Sequence, residues 1–508
     1  MKTRKSTLLT ETSLDDLPAR SAGGDDAAIA NFLETDDYTN EVEMDALNRP
    51  SKMTMPDGSE QVPSYSRAGF LTKMEVQLAH ESSFTEYVSS ILYNVRGQRT
   101  DIFYGNGSKT AYTYDEANFR LSRLLTTRNT GSDILQDLNY TYDAVGNIVE
   151  HKDDAQQTLY FSNTVIEPKG KYVYDALYRL TQATGREKDA LAAPSETGYT
   201  PDFVATNAKT APTLSTYCEK YTYDELGNIT ELSHKDTCDG TENWKRTYVY
   251  NSGKPNNYLQ SAYTGSTAPS SAQFTYDEHG NLLQMPHLTA MNWDFQDQLQ
   301  SSDKTDETTY YVYSGGERIR KVVVDTSGAT DKIKYERIYL GGYELYKEYD
   351  SSEDLESERT TYHVSDDKKR IASLEVKTRT GGSEITPANQ TTITRYQYSN
   401  HLDSACLELN ENAEILSYEE FHPFGSTSYS MHTNDSEVSL KRYKYNGKER
   451  DEESGLDYYG ARYYASWLCR FISVDPLKDQ YPFQNSFAYA ANSPVTLTDV
   501  NGEGPGGG

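Results

Sequence analysis

The sequence predicts an all-β protein, and two observations carry that prediction. The first is composition: 508 residues contain 43 Tyr against 14 Phe and 3 Trp, although only 36% of the chain is hydrophobic and its mean hydropathy is -0.79. Tyrosine packs a flat ring while its hydroxyl stays wet, so a Tyr-rich chain suits pleated sheet better than a thick helical core. The second is a repeated turn unit that reads as a hairpin.

The unit has the form Tyr-x-Tyr-Asp-x-x-Gly-Asn-(Ile/Leu). Tyr-x-Tyr places both rings on one face of a strand, because side chains alternate with period two. The aspartate begins a turn by bonding the backbone ahead of it, Gly and Asn tolerate positive φ, and the apolar residue starts the returning strand. Clear copies stand at 140–148, 221–229 and 274–282, and degenerate ones at 172–180, 112–121 and 43–49. The predicted turn residues are Asp143, Gly146, Asn147, Asp224, Gly227, Asn228, Asp277, Gly280 and Asn281.

These hairpins predict a larger architecture. One hairpin buries too little surface to be stable, so neighbouring hairpins must join into a long meander. An open sheet of that size curls, because strand twist accumulates. The expected result is a hollow tube or shell.

The N-terminal part of the chain looks different. Residues 1–40 are polar, acidic and aperiodic, which predicts a disordered segment. The start, MKTRKSTLLTETSLDD, has a basic head but no apolar stretch, so no conventional signal peptide is predicted. The chain contains no run of about 18 apolar residues, so no membrane-spanning helix is predicted.

The formal charge is -28, from 49 Lys+Arg against 77 Asp+Glu. Nucleic acids and anionic membranes bind basic surfaces, so neither is expected as a partner. Four cysteines are too few for a disulfide framework. Cys218 and Cys238 flank one predicted hairpin and could pair, but buried free thiols are favoured for them. Neither CxxC nor HExxH occurs, so no metal and no cofactor is expected.

Toward the C-terminus the residues resemble a known family. The Tyr-Asp units look like the YD repeats of the Rhs superfamily, and RYKYNGKERDEESGLDYYGARYYASWLCRFISVDPL, from residue 441, looks like its core-associated region. RYQYSNHLDSACLELNENAEILSYEEFHPFGSTSY, at 395–429, is similar to the preceding stretch in C components, or B-C fusions, of insecticidal toxin complexes. The likeness covers roughly residues 41–503.

The resemblance implies a domain plan and a task. Residues 41–440 would form the YD-repeat β-shell and residues 441–503 a small mixed core-associated plug, while 504–508 would be a stub of a variable C-terminal toxin. The shell would enclose that toxin, with a B-type shell component and a delivery component as partners. The protein would act outside the producing cell, as part of a larger complex. The toxin and the B-type half both look absent from these 508 residues.

The resemblance also implies a single-turnover aspartyl autoprotease. Two carboxylates held close together share a proton, so one can activate water while the other protonates the leaving group. Matching position by position, the catalytic aspartates correspond to Asp475 and Asp499, the basic residues to Lys448 and Arg470, and the scissile bond to Glu503-Gly504.

The sequence departs from the family pattern at three positions. The first motif, Asp-Pro-Leu-Lys, lacks its glycine; the second, Asp-Val-Asn-Gly, lacks its proline; and Cys469 stands where glycine is usual. Without the rigid φ of proline, the segment after Asp499 is less firmly held to present the bond.

Plainer interpretations stay open. Each aspartate could simply cap a turn, and Lys448 and Arg470 could simply pair with carboxylates. Asp451, Asp457 and Asp479 rank lower as catalytic acids. The cluster His401, Asp403, Ser404 and Cys406 and the acidic run 350–358 are expected to be packing residues and a hairpin tip. A rival function is a YD-repeat adhesion or glycan-binding protein without cargo, and a third is a degenerate remnant with neither cargo nor cleavage.

Overall fold

The structure is a computed structural model that describes residues 2–6, 37–161, 164–188, 214–250, 256–366, 369–432 and 441–506. Within these residues, regular structure consists of β-strands and a few single 3₁₀ turns, without an α-helix. Consecutive strands pair antiparallel throughout both large sheets. The all-β prediction is confirmed.

The first large sheet has 17 strands. It is a meander in which each strand hydrogen-bonds to the next along the chain, and one small hairpin interrupts it. Its strands are β1 Lys2–Ser6, β2 Tyr38–Met44, β3 Pro50–Thr54, β4 Glu60–Tyr65, β5 Leu71–Gln77, β6 Thr85–Tyr93, β7 Arg99–Tyr104, β8 Lys109–Tyr114, β9 Leu121–Arg128, β10 Asp133–Tyr142, β11 Ile148–Asp153, β14 Lys169–Tyr174, β15 Leu180–Lys188, β16 Leu214–Tyr223, β17 Ile229–Lys235, β18 Glu242–Tyr250 and β19 Leu259–Thr264, and the inserted hairpin is β12 Leu159–Phe161 and β13 Thr164–Ile166.

The second large sheet has 13 strands and the same meander order, and two-stranded and four-stranded sheets complete the fold. The 13 strands are β22 Ala290–Trp293, β23 Leu299–Asp303, β24 Glu307–Ser314, β25 Glu317–Asp325, β26 Lys332–Leu340, β27 Tyr343–Tyr349, β28 Leu355–Ser365, β29 Arg370–Thr380, β30 Ser383–Glu384, β31 Thr392–Ser399, β32 Ala405–Leu409, β33 Ile415–Phe421 and β34 Thr427–His432. The short pairs are β20 Thr275–Tyr276 with β21 Leu282–Gln284, and β39 Thr498–Asp499 with β40 Pro505–Gly506; the four-stranded sheet is β35 Glu449–Arg450, β36 Asp457–Tyr458, β37 Tyr463–Ala465 and β38 Arg470–Phe471.

The turn of each clear Tyr-Asp unit is built by its aspartate. Oδ1 of Asp143 accepts the backbone N–H groups of Val145, Gly146 and Asn147, and Oδ2 accepts the side-chain amide of Asn147 at 2.8 Å. The units at 224–228 and 277–281 repeat the pattern, except that the glycine N–H donates to the backbone carbonyl of the aspartate. Each turn is therefore closed by one carboxylate.

The structure corrects one detail of the predicted turn. The glycines have positive φ, as at Gly146 (φ 111), but the following asparagines do not. The asparagine contributes its side-chain amide instead, as the partner of the aspartate. Its presence in the unit thus reflects a hydrogen bond and not backbone freedom.

A tyrosine at the end of a strand joins one hairpin to the previous one in much of the first sheet. In six hairpins of the first sheet, the tyrosine that ends the outgoing strand donates its hydroxyl to the carbonyl of the residue that opens the preceding returning strand. The bonds run from Tyr93 to Leu71, Tyr114 to Arg99, Tyr142 to Leu121, Tyr174 to Ile148, Tyr223 to Leu180 and Tyr250 to Ile229, at 2.6 to 3.0 Å. We call this series the tyrosine ladder. These six bonds need a hydroxyl, which tyrosine supplies and phenylalanine lacks.

A register shift accompanies the Tyr-Asp turns. In β10 and β11, Thr141 faces Glu150 whereas Tyr142 faces Ile148, which leaves one residue unpaired. The same shift occurs in the hairpins at β14–β15, β16–β17 and β18–β19. Bulges of this kind bend a strand and increase its twist. They supply curvature in addition to that expected from strand twist alone.

Two apolar cores hold the sheets. In one, side chains of the first sheet such as Val88 and Ile102 pack with side chains of the second such as Leu374 and Tyr396. In the other, Tyr221 and its neighbours pack against residues from the C-terminal segment, which we define as 441–506. The candidate functional site lies in that segment.

Both ends of the chain contain more strand than the sequence suggested. Lys2–Ser6 pairs with β2, so the predicted disordered segment 1–40 has structure at its start, while residues 7–36 lie outside the described residues. Pro505–Gly506, in the predicted stub, pairs with Thr498–Asp499. A strand that pairs with one neighbour needs only backbone hydrogen bonds, which a polar sequence can supply.

The cysteine prediction is wrong for one pair. Cys218 and Cys238 form a disulfide with their Cα atoms 5.1 Å apart. Cys218 lies opposite Lys235 in the β16–β17 pair, and the turn after β17 brings Cys238 back across the strand. Cys406 and Cys469 are buried free thiols.

Removing one rung of the tyrosine ladder should weaken the sheet measurably. Tyr142→Phe deletes the 2.7 Å bond to the Leu121 carbonyl and changes little else. We expect the free energy of unfolding in urea to fall by about 1 kcal/mol. Tyr178→Phe is the control, because Tyr178 is 52% exposed at a turn. Equal effects of the two substitutions would contradict the structural role of the ladder.

Candidate functional site

Buried ion pairs fix the C-terminal segment on the second sheet. Arg318 of β25 donates to Glu449 at 2.6 Å and to Asp451 at 2.7 Å, and Lys321 donates to Asp451 at 2.9 Å and Glu453 at 3.0 Å. All five side chains are almost fully buried. Buried charges at this depth are stable only when paired, so these ion pairs define one position of the C-terminal segment on the second sheet. Asp451, a lower-ranked catalytic candidate, is thereby occupied by two cations.

Asp475 and Asp499 come together on one arginine. Nη2 of Arg462 donates to Oδ2 of Asp475 at 3.0 Å and to Oδ2 of Asp499 at 3.1 Å. Arg462 and Asp499 are each 1% exposed. The predicted pair of carboxylates therefore exists, with a shared guanidinium between them.

Every nitrogen of the Arg462 guanidinium donates at least one hydrogen bond. Its Nε donates to the Gly502 carbonyl at 2.6 Å and its Nη1 to the Ser486 carbonyl at 3.0 Å, and its guanidinium lies 3.7 Å from the ring centre of Phe471. Ser486 also accepts the backbone N–H of Asp475. One side chain thus connects both aspartates with the chain that carries the predicted scissile bond.

Each aspartate is also a turn former, as the plainer interpretation proposed. Oδ1 of Asp475 accepts the Leu477 N–H at 2.7 Å, and Oδ1 of Asp499 accepts the Gly502 N–H at 2.8 Å. The second oxygen of each is the one that faces Arg462. Turn formation and a shared polar site therefore coexist.

The predicted scissile bond lies beside this pair. The N–H of Gly504 donates to Oδ2 of Asp499 at 3.2 Å. A Cβ added at Gly504, whose φ is +113°, would stand 3.7 Å from Oδ2 of Asp475. The nitrogen that would leave on cleavage is thus hydrogen-bonded to Asp499, and the Gly504 residue lies next to Asp475.

Burial shapes the acidity of Asp499. Burial raises the pKa of its carboxyl above the ordinary value, while Arg462 and the N–H groups of Gly504 and Gly502 oppose that shift. Asp475 adds a smaller upward contribution to the pKa by charge repulsion. The pKa of Asp499 is therefore raised, so it is a weaker acid than an exposed aspartate.

Lys448 lies at the edge of the site. Its Nζ donates to the carbonyl of Val500, the residue after Asp499, and lies 5.2 Å from the ring centre of Tyr459. Burial lowers the pKa of Lys448, and the charge of Asp499 acts against that shift. Lys448 therefore holds the backbone next to Asp499.

Arg470 lies elsewhere. Its guanidinium donates to the Asn257 carbonyl at 2.6 Å and to the Tyr250 hydroxyl at 3.3 Å, and it lies 4.6 Å from the ring centre of Phe487. These contacts join the C-terminal segment to the first sheet. The structure places Arg462, not Arg470, between the two aspartates.

The three departures from the family pattern are tolerated locally. Val500 replaces proline with its side chain 63% exposed, and Lys478, at the glycine position of the first motif, does not have positive φ. Cys469 does have positive φ, at 58°, which explains why glycine suits that position. Gly502 is required where it stands, because a Cβ there would lie 2.8 Å from the Arg462 backbone nitrogen.

The remaining candidates have structural partners. Asp457 pairs with Arg450 at 2.8 Å, and Asp479 is exposed. His401 donates to the Val495 carbonyl, Ser404 accepts the Asn446 N–H, and burial raises the pKa of Cys406 to about 12. Residues 350–354 form the turn between β27 and β28, as expected of the acidic run. Among the described residues, no cluster of acidic, histidine or cysteine side chains could hold a metal ion.

Arg462 was the residue that sequence reasoning missed. It stands in the quoted stretch Gly-Ala-Arg-Tyr-Tyr, between buried tyrosines. A single arginine in so apolar a stretch must find carboxylate partners when buried, and that was the available signal.

Comparisons with known proteins identify what the chain is similar to. It is 29% identical over 495 residues to toxin subunit YenC1 of Yersinia entomophaga, covering 95% of this chain and 49% of the relative. YenC2 of the same organism is 27% identical over 495 residues. The chain thus spans about half the length of these curated relatives. No protein-family model matches it.

Solved structures agree. The crystal structure of TcdB2-TccC3 without the hypervariable C-terminal region superposes with a TM-score of 0.84 at 28% identity, covering 98% of this chain and 23% of that one. A Tc holotoxin pore of Photorhabdus luminescens gives 0.83 at 28% identity and the same 23% share. The predicted resemblance and the Rhs-shell fold are confirmed. The similarity supports an Rhs-type shell component of a toxin complex.

Removing the guanidinium that Asp475 and Asp499 share should destabilise the protein. Arg462→Met leaves two carboxylates uncompensated, one of them fully buried, so we expect the free energy of unfolding at pH 7 to fall by about 3 to 5 kcal/mol. The loss should shrink as the pH falls, because burial raises the pKa of Asp499 and a protonated carboxyl needs no counter-ion. Urea unfolding at several pH values measures both effects.

The control for this experiment is Arg49→Met. Arg49 pairs with Asp45 at 2.6 Å, and both side chains are about a quarter exposed, so its loss should change stability far less than the loss of Arg462 at any pH. A pH-independent loss in the Arg462 variant would contradict the described charge arrangement.

Proposed function

We propose that this chain is a shell segment that encloses a C-terminal toxin and cuts the connection to it once. The observation that carries the proposal is the convergence of Asp475 and Asp499 on Arg462, beside the Glu503-Gly504 bond. The likeness to TcdB2-TccC3, which includes a structure lacking a hypervariable C-terminal region, supports a variable cargo after residue 503. The partners would be a B-type shell component and a delivery component, and the complex would act outside the producing cell.

The proposed cut is a hydrolysis. Asp475 takes a proton from a water molecule, and the hydroxide attacks the Glu503 carbonyl carbon. The C–N bond to Gly504 breaks, and Asp499, in the fraction of molecules in which it is protonated, gives its proton to the departing nitrogen, whose N–H lies 3.2 Å from its Oδ2 in the uncut chain. The products are a carboxyl group on Glu503 and an amine on Gly504. Arg462 is a positioning residue that holds both carboxylates.

The rival adhesion function finds less support. A sugar-binding surface would need exposed aromatic faces, but most tyrosine rings of the Tyr-Asp units pack into the cores or serve the tyrosine ladder. Only three tyrosines are exposed within the described residues, Tyr178, Tyr258 and Tyr310; the other exposed aromatic side chains there are Phe70, Phe84, Phe119, Phe295 and Phe483. Within those residues, no helix is long and apolar enough to cross a membrane.

Self-cleavage can be tested by adding a folded reporter domain after Gly508. On a denaturing gel, the unmodified chain should split into two bands, and Asp475→Asn and Asp499→Asn should each slow the split at least a hundredfold. The rate should fall as the pH rises above the raised pKa of Asp499, because the proton donor is then lost. Asp479→Asn, an exposed acid four residues from Asp475, is the matched control. A single band from the unmodified chain would refute cleavage.

Encapsulation makes a separate prediction. In the chain assembled with its partner shell component, the reporter should resist a soluble protease under native conditions although the gel shows it already cut. The same reporter alone, added to the same mixture, is the control and should be digested. Equal digestion of the two would contradict the enclosure of cargo.

A further inference from the structure

Gly504, the residue that follows the proposed cut, has a backbone conformation that few other residues adopt. Its φ is +113°, in a region that glycine enters freely and that residues with a side chain rarely enter. In this conformation its N–H donates to Oδ2 of Asp499 at 3.2 Å. Beyond it, Pro505–Gly506 pairs with Thr498–Asp499. The departing nitrogen is therefore held beside its carboxylate by a backbone that requires glycine.

Two side chains border the space into which a side chain at position 504 would point. A Cβ built on Gly504 would lie 3.6 Å from Cε2 of Tyr481 and 3.7 Å from Oδ2 of Asp475. Both distances are ordinary contacts, so a methyl group fits, whereas a branched side chain would press on the ring or the carboxylate. The carboxylate has little freedom to move, because Arg462 donates to it at 3.0 Å and the Leu477 N–H at 2.7 Å.

One short series of turns carries both the ring and the carboxylate. The Lys478 N–H donates to the Asp475 carbonyl at 3.1 Å, and the Tyr481 N–H donates to the Lys478 carbonyl at 3.3 Å. The Gln484 N–H donates in turn to the Tyr481 carbonyl at 3.0 Å. Backbone hydrogen bonds thus set the spacing between Tyr481 and Asp475, and with it the room left at position 504.

The residue before the proposed cut meets no such limit. Glu503 is exposed, and its φ is not positive. Its side chain accepts a hydrogen bond from the Asn501 amide at 2.6 Å, which does not involve Asp475, Asp499 or Arg462. The two sides of the bond therefore differ in the residues that they admit.

We propose that the site selects its bond by the residue after the cut: it hydrolyses a bond to glycine and discriminates against larger residues at position 504, whatever cargo follows. This inference rests on the proposed function, whose substrate it defines. A residue with a side chain would have to leave the positive-φ conformation, and the hydrogen bond to Asp499 would be lost with it. Fewer molecules would then present the departing nitrogen to the carboxylate, and a small misplacement of reacting groups slows a reaction strongly.

The test compares rates of self-cleavage in the chain that carries the reporter domain, followed on a denaturing gel. We expect Gly504→Ala to be cut about tenfold more slowly, because its methyl group fits but its backbone is strained. Gly504→Val should be cut about a hundredfold more slowly, because its branches also meet Tyr481 and Asp475. Glu503→Ala should keep the rate of the unmodified chain. Thermal unfolding checks that all three variants fold.

The matched control is Gly58→Ala. Gly58 also has positive φ, at +91°, and lies in the turn between β3 and β4 with no atom within 4 Å of an added Cβ. The substitution therefore imposes a similar backbone strain in the first sheet, outside the C-terminal segment. It should leave the cleavage rate unchanged.

Equal cleavage rates of Gly504→Val and the unmodified chain would overturn the selectivity and leave the proposed cleavage standing. A loss of rate in Glu503→Ala as large as that in Gly504→Ala would show that both sides of the bond are read, which also overturns the inference. An equal loss in Gly58→Ala would assign the effect to general strain and overturn it too. A single band from the unmodified chain would refute cleavage itself, and the selectivity with it.

Discussion

The fold depends on one repeated bond, from a tyrosine hydroxyl to a backbone carbonyl in the previous hairpin. Sheet pairing alone would leave each strand free to slide by two residues without exposing its apolar face. The tyrosine ladder removes that freedom, because the hydroxyl of Tyr142 reaches the Leu121 carbonyl only when the register is correct. The hydroxyl also satisfies a carbonyl where the bulge interrupts the pairing. Register, curvature and composition therefore have a common origin.

The architecture was readable from the sequence because its signal is local and repeated. Each hairpin shows its turn residues and its two tyrosines within nine positions, as in YTYDAVGNI. The disulfide between Cys218 and Cys238 was not readable, because it depends on the path of the turn after β17 and not on spacing alone. The role of Asn147 was misjudged for a related reason: tolerance of positive φ and a side-chain amide bond favour the same residue type.

The candidate site was also only partly predictable from the sequence. Asp475 and Asp499 were placed by the family resemblance, and the structure brings them to one guanidinium. The choice of basic partner required three-dimensional information, since Arg462 lies 13 residues before Asp475 and 37 before Asp499. Arg470 is close to Asp475 in sequence but points at the first sheet through Asn257. Sequence proximity was a poor guide because short irregular turns, and not a regular element, connect these residues.

The pairing of Thr498–Asp499 with Pro505–Gly506 spans the Glu503-Gly504 bond. The chain on either side of that bond is therefore tied by backbone hydrogen bonds that do not pass through it. After cleavage of the peptide bond, this strand pairing would still hold the two new ends side by side. Cleavage of the bond and release of the downstream chain would therefore be separate steps, because the pairing of Thr498–Asp499 with Pro505–Gly506 would still have to break.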